Sequence, residues 1–116
     1  MDYQEKIEFW HREGGSIICI YGDTLMGKST IAARLVDDNT VVLDGDVVRE
    51  FINGDLGYSD ADRKLNNERI AKIALMLAYM GKRVIIATVR ADIAYDYIKE
   101  HDKNNVWKQL IKVHRD

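Results

Sequence analysis

Proline is absent from the 116 residues, and no linker, repeat or low-complexity tract divides the chain. The length suits one domain covering residues 1–116. Cysteine occurs once, as Cys19, which excludes an internal disulfide and suits a reducing compartment. Within the apolar run Ile17 to Tyr21 that thiol reads as a small packing hydrophobe. No apolar stretch reaches the ~18 residues of a membrane-crossing helix, and the start Met1 to Lys6 carries no signal-peptide run, so a cytoplasmic chain with no membrane partner is expected. A basic excess is missing too: 17 Lys and Arg face 19 Asp and Glu, for a net charge of −2. Such a balance gives no broad basic surface for a nucleic-acid polymer. His11, His101 and His114 show no metal spacing with one another or with Cys19. What is present, 47% hydrophobic and 31% charged residues, is the composition of a folded globular domain.

Short apolar runs alternate with helical patterns. Residues Asp2 to Glu13 place Tyr3, Ile7 and Trp10 at helical spacing, ended by Gly14 and Gly15. Ile17 to Tyr21 is β-branched and continuous, the pattern of a central strand buried on both faces of a parallel sheet. Lys28 to Val36 reads as a helix, with Asp37, Asp38 and Asn39 as a turn after it, and Val41 to Leu43 as a second buried strand. Ser59 and Asp62 have the form of a capping box opening a long helix from Asp60 to Met80, for which Gly81 supplies a left-handed cap. Val84 to Val89 reads as a third strand and Ala91 to Glu100 as a helix. Val106 to Val113 fits either a helix or an edge strand, and its β-branched content favours the strand. The alternation predicts an α/β domain, a three-layer parallel sheet with helices on both faces and right-handed crossovers.

Between the first strand and its helix stands Gly22-Asp23-Thr24-Leu25-Met26-Gly27-Lys28-Ser29, followed by Thr30. It matches G-x-x-x-x-G-K-[ST] in full and in the required context, which predicts a P-loop that grips ATP. The loop's N–H groups form an anion nest and the helix beginning at Lys28 adds its positive end. Lys28 reaches the β- and γ-phosphates, and Ser29 offers its hydroxyl to Mg²⁺. Leu25 stands where many such loops carry a glycine able to take positive φ.

Asp44 and Asp46 bracket Gly45 at the C-terminal end of the second strand, the edge where ligands bind in open parallel sheets. Paired carboxylates there suit phosphoryl transfer, one orienting the magnesium shell and one accepting the proton of an attacking hydroxyl. The same residues also suit a turn or a helix N-cap. Arg49, Arg63 and Asn66 follow where a phosphoryl acceptor would sit, and the arginines can fork onto its acidic groups. A solvated helix face is their other reading.

With these residues in view, the chain resembles the adenylylsulfate kinase family of the P-loop NTPase superfamily over about Gly15 to Thr88. The resemblance rests on Leu43 to Arg49, then Asp55-Leu56-Gly57-Tyr58-Ser59, then Asp62, Arg63 and Asn66, in family order and spacing after the P-loop. It implies strand order 2-3-1-4 and transfer of the γ-phosphate of ATP, with Mg²⁺, to the 3′-hydroxyl of adenosine 5′-phosphosulfate. Lys28, Asp44 and Asp46 then match the catalytic groups, with Ser29 and Asp44 on the metal. Asp46, Arg49, Arg63 and Asn66 match acceptor-binding residues, and Tyr58 takes the place of a phenylalanine stacking on the acceptor's adenine. A homodimer is compatible with the family. Two departures stand out: Leu25 and Met26 replace Gly and Ser, and Thr88-Val89-Arg90-Ala91-Asp92 replaces the family's ISPYR, one wall of the acceptor site. The sequence also stops about where the family's lid begins, so slow turnover by this chain alone is expected. A kinase of another small hydroxyl substrate, a non-catalytic nucleotide-binding remnant and a subunit completed by a partner chain stay open.

Overall fold

The computed structural model describes residues 15–22 and 28–113, with 28–31 as backbone only. The helix expected over residues 2–13 lies outside the described residues. Strand β1 (Ser16–Tyr21) comes first and helix α1 (Lys28–Leu35) second. Next come β2 (Thr40–Asp44), α2 (Gly45–Phe51), α3 (Asp60–Tyr79), β3 (Arg83–Ala87), α4 (Ala91–His101) and β4 (Trp107–Lys112). The four strands form one parallel sheet in the order β2-β3-β1-β4, the order the family resemblance implied.

The pleat of β1 divides the core into two layers. Ile17 and Cys19 point to one face, where Ile70, Ala71 and Ala74 of α3 and Ala94 and Ile98 of α4 cover them. Ile18 and Ile20 point to the other, against Ala32 and Leu35 of α1. β3 repeats the division, with Val84 and Ile86 on the first face and Ile85 on the second. Each of these isoleucines is buried and contributes roughly 1.5–3 kcal/mol by leaving water. Burial also drives the Cys19 thiol far above its usual range, so it stays a neutral packing group.

Local chemistry ends the elements as the sequence predicts. The Ser59 hydroxyl accepts the Asp62 N–H at 3.2 Å and opens α3. Asp62 does not reciprocate as a capping box would; its carboxylate accepts the Gly57 N–H at 2.8 Å and ties down the preceding loop. At the other end Gly81 takes φ +88° and donates to the Ala78 carbonyl at 2.9 Å, a turn that a side chain would strain. The Asp37 carboxylate accepts from the Asn39 N–H and the Thr40 hydroxyl, which forms the turn into β2.

Three sequence expectations are corrected or sharpened. β2 is an edge strand with β3 as its one neighbour among the described residues, which leaves it only half-buried, with Val42 41% exposed. Residues Gly45–Phe51 form a helix, so Asp44 acts as the N-cap that was one of its two readings. The ambiguous segment after Val106 is a strand on the opposite edge, paired in parallel with β1 from Trp107 to Lys112.

Candidate acceptor site

A cavity of about 330 Å³ opens at the C-terminal ends of β2 and β3. Its floor is the close approach of two elements. A Cβ on Gly45 would lie 2.8 Å from the Thr88 methyl carbon, so only glycine lets α2 begin this near to β3. The Thr88 N–H donates to the Ile20 carbonyl at 3.3 Å, which sets the cavity beside the end of β1, where the predicted phosphate loop departs.

Asp44, Asp46, Arg49, Tyr58, Arg63 and Asn66 all line this one cavity. Asp44 holds the start of α2: its Oδ1 accepts the N–H groups of Asp46 at 2.9 Å and Val47 at 3.2 Å. The Asp46 side chain is 81% exposed and accepts from Arg49 Nη1 at 3.3 Å. Arg49 is 14% exposed, with its guanidinium carbon 4.3 Å from the centre of the Tyr58 ring. Its Nε is buried and has no hydrogen-bond partner among the described residues. Tyr58 is exposed, and with Arg49 on one face it has the other for a ligand ring. Arg63 Nε donates to the Tyr58 carbonyl at 3.1 Å, which fixes the loop carrying that ring and leaves the outer nitrogens of the guanidinium for other partners.

The phosphate loop is divided. Gly22 follows β1 and the helix starts at Lys28, so the strand and helix that flank the motif are in place. Asp23, Thr24, Leu25, Met26 and Gly27 lie outside the described residues, as do the side chains of Lys28, Ser29 and Thr30. Among the described residues no cluster of three or more His, Cys, Asp or Glu is arranged to hold a metal.

Sequence reasoning named Asp55 and the Thr88 to Asp92 wall but missed Asn53, Asn67 and Arg69, which tie them to the site. Thr88 Oγ1 donates to Asn67 Oδ1 at 2.7 Å, and Asn67 Nδ2 donates to the Arg63 carbonyl at 2.9 Å, so β3 and α3 are cross-linked under the cavity. Asn53, fully buried, donates to Asn66 Oδ1 at 2.8 Å and accepts from Arg69 Nη1 at 3.1 Å. Arg69 in turn forks onto Asp55 at 2.8 and 3.1 Å. That fork holds the Asp55 carboxyl below its usual range. Thr88, Val89 and Arg90 form the wall that departs from the family pattern. Arg90 is held by a bidentate pair with Asp92, both bonds 2.9 Å, which lowers the Asp92 pKa and raises that of Arg90. The hint for Asn67 was its own type, an amide next to Asn66 on an apolar helix.

The family model described as adenylylsulphate kinase matches residues 14–116. The chain belongs to the adenylylsulfate kinase family. Among curated relatives it is 37% identical over 94 residues to the probable adenylyl-sulfate kinase of Bacillus subtilis strain 168, covering 76% of this chain and 46% of that one. The adenylyl-sulfate kinase of Bacillus pumilus is 40% identical over the same shares. The chain thus spans about half the length of the curated relatives it matches. Among solved structures, the Mycobacterium tuberculosis APS kinase in complex with AMPPNP and APS superposes with a TM-score of 0.73 at 26% identity, over 88% of this chain and 64% of that one. A hexameric APS kinase from Thiobacillus denitrificans gives a TM-score of 0.62 at 27% identity, over 88% of this chain and 22% of that one. Both support the P-loop NTPase fold. No helix among the described residues is long and apolar enough to cross a membrane.

Proposed function

We propose that this chain binds Mg·ATP at Gly22 to Thr30 and transfers the γ-phosphate to the 3′-hydroxyl of adenosine 5′-phosphosulfate, giving 3′-phosphoadenylylsulfate and ADP. One observation carries the reading: six residues spread from Asp44 to Asn66 line a single cavity next to the root of the phosphate loop. The acceptor's acidic groups lie against Arg49, Arg63 and Asn66, and its adenine takes the free face of Tyr58. Asp46, exposed at the cavity edge, is the carboxylate that accepts the hydroxyl proton as that oxygen attacks the γ-phosphorus and ADP leaves. The sparse carboxylates suit magnesium, which keeps most of its water and needs one or two carboxylates beside phosphate oxygens. Asp44, with one oxygen committed to the helix N-terminus and the other available, and the Ser29 hydroxyl are the groups that would hold it. When bound, the ion neutralises charge on the β- and γ-phosphates. Lys28 would add a positive charge for the same phosphates.

The test is ADP release by the purified chain, with and without adenosine 5′-phosphosulfate. Release that depends on this acceptor supports the reading. Release stimulated equally by other small alcohols would indicate a different kinase, and nucleotide binding without turnover would indicate a binding module. A homodimer and a cytoplasmic location belong to the same proposal.

A further inference from the structure

We propose that Asn53 and Arg69 are positioning residues that lock the Asn66 amide with its NH₂ group turned into the cavity, so that this wall accepts only a ligand group rich in hydrogen-bond acceptors. The inference deepens the acceptor-site reading and rests on it for the identity of the ligand; the direction of the hydrogen bonds rests on geometry alone.

An asparagine side chain is nearly symmetric in shape, and its partners decide which end is oxygen and which is nitrogen. Here the decision starts at a group with no choice. Arginine has five N–H donors and no acceptor. Arg69 is anchored by its fork onto Asp55, and its Nη1 also lies 3.1 Å from the Asn53 side chain. The Asn53 atom that meets it is therefore the carbonyl oxygen. That leaves Asn53 Nδ2 as the atom 2.8 Å from Asn66, and a donor there requires the oxygen of Asn66 opposite it. The remaining atom of Asn66, its Nδ2, makes no hydrogen bond among the described residues, and Asn66 lines the cavity. Asn53 and Asn66 are both buried, so flipping either amide alone would set donor against donor away from water.

The next residue shows the contrast. Asn67 spends both ends of its amide inside the protein, on the Arg63 carbonyl and the Thr88 hydroxyl. Of the two neighbouring asparagines, one closes the floor and the other faces the ligand. The Asn66 donor favours the oxygens of a phosphate or sulfate group over a ligand N–H.

Asn53→Asp tests the relay. A carboxylate at position 53 keeps the bond from Arg69 but offers Asn66 only acceptors, so the Asn66 amide turns over and presents its oxygen to the cavity. The variant should stay folded and keep the wild-type melting shift with ADP, while its dissociation constant for adenosine 5′-phosphosulfate rises ~10-fold or more. Arg69→Lys, still a pure donor, should stay close to wild type, whereas Arg69→Gln, which can accept from Asn53, should lose affinity. A second readout needs no substrate: in ¹⁵N-labelled protein the Asn53 side-chain NH₂ protons should exchange slowly and those of Asn66 rapidly, and in Asn53→Asp the Asn66 protons should become protected. Wild-type affinity in Asn53→Asp, or protected Asn66 NH₂ protons in the wild-type chain, would overturn the proposal. If the wild-type chain fails to bind adenosine 5′-phosphosulfate at all, the acceptor reading falls, and the exchange pattern alone still decides the orientation of Asn66.

Discussion

From Ile70 onward, α3 lays Ala71, Ala74 and Ala78 against the sheet, whereas one turn earlier the same helix buries Asn66 and Asn67. The apolar half is held by removal of surface from water, which favours close packing but no particular atom. The polar half is held by hydrogen bonds, which cost stability if unmade and therefore dictate the placement of each donor and acceptor. The helix is thus anchored by its C-terminal half and aims its N-terminal half at the cavity. Apolar packing and the polar cavity wall lie on one element but at separate positions along it.

This division can be broken experimentally at either half. The largest effect should come from Ile70→Ala, which leaves a cavity at a fully buried position and should cost about 2–5 kcal/mol in chemical denaturation. The folded fraction should keep its ligand affinity, since Ile70 is remote in role from the polar wall. Replacing each asparagine sharpens the contrast. Asn66→Ala and Asn67→Ala should each lose about 1–3 kcal/mol of stability, because each strands a buried partner. Only Asn66→Ala should also remove a direct ligand donor, so its loss of affinity for adenosine 5′-phosphosulfate should be clearly the greater. Equal losses would mean that the two amides share one structural role.

The smallest effect lies at the rim. The Arg90–Asp92 pair is partly exposed, with Arg90 53% and Asp92 27% accessible, and such pairs contribute about 0–1 kcal/mol. Because Arg90 holds the Asp92 pKa below its unfolded value, the contribution is present above the ordinary carboxylate pKa of about 3.9 and is lost as pH falls through the lower folded value. Stability of Asp92→Asn should therefore sit slightly below wild type near neutrality and converge with it in acid. A gap that widened in acid would contradict the pairing.

Sequence patterns made the layers legible where burial is periodic. The runs at Ile17 and Val84 read as buried strands because both of their faces are covered, and Ser59 with Asp62 at one end and Gly81 at the other marked α3. α2 escaped as a helix because it is short, and of its apolar side chains Val48 is buried while Val47 and Phe51 are exposed. β2 escaped as an edge because an apolar triplet does not reveal how many neighbours it will have. At the site, Asp44 through Asn66 were accessible from motif and resemblance, and the fold gathers them around one cavity. The supporting network was not accessible. Asn53 meets Asn66 across 13 residues, Arg69 across 16, and Asn67 meets Thr88 across 21, and pairs of buried polar groups leave no period in a sequence.

In the proposed function the cavity between β2, β3 and α3 takes the acceptor while nucleotide binds elsewhere, at the phosphate loop. Calorimetric titration of adenosine 5′-phosphosulfate and, separately, ADP into wild type and Arg63→Ala tests it most directly. Both ligands should bind the wild type saturably, with Arg63→Ala losing about 1–3 kcal/mol of affinity for adenosine 5′-phosphosulfate and almost none for ADP. Equal loss for both ligands, or unchanged affinity for adenosine 5′-phosphosulfate, would contradict it.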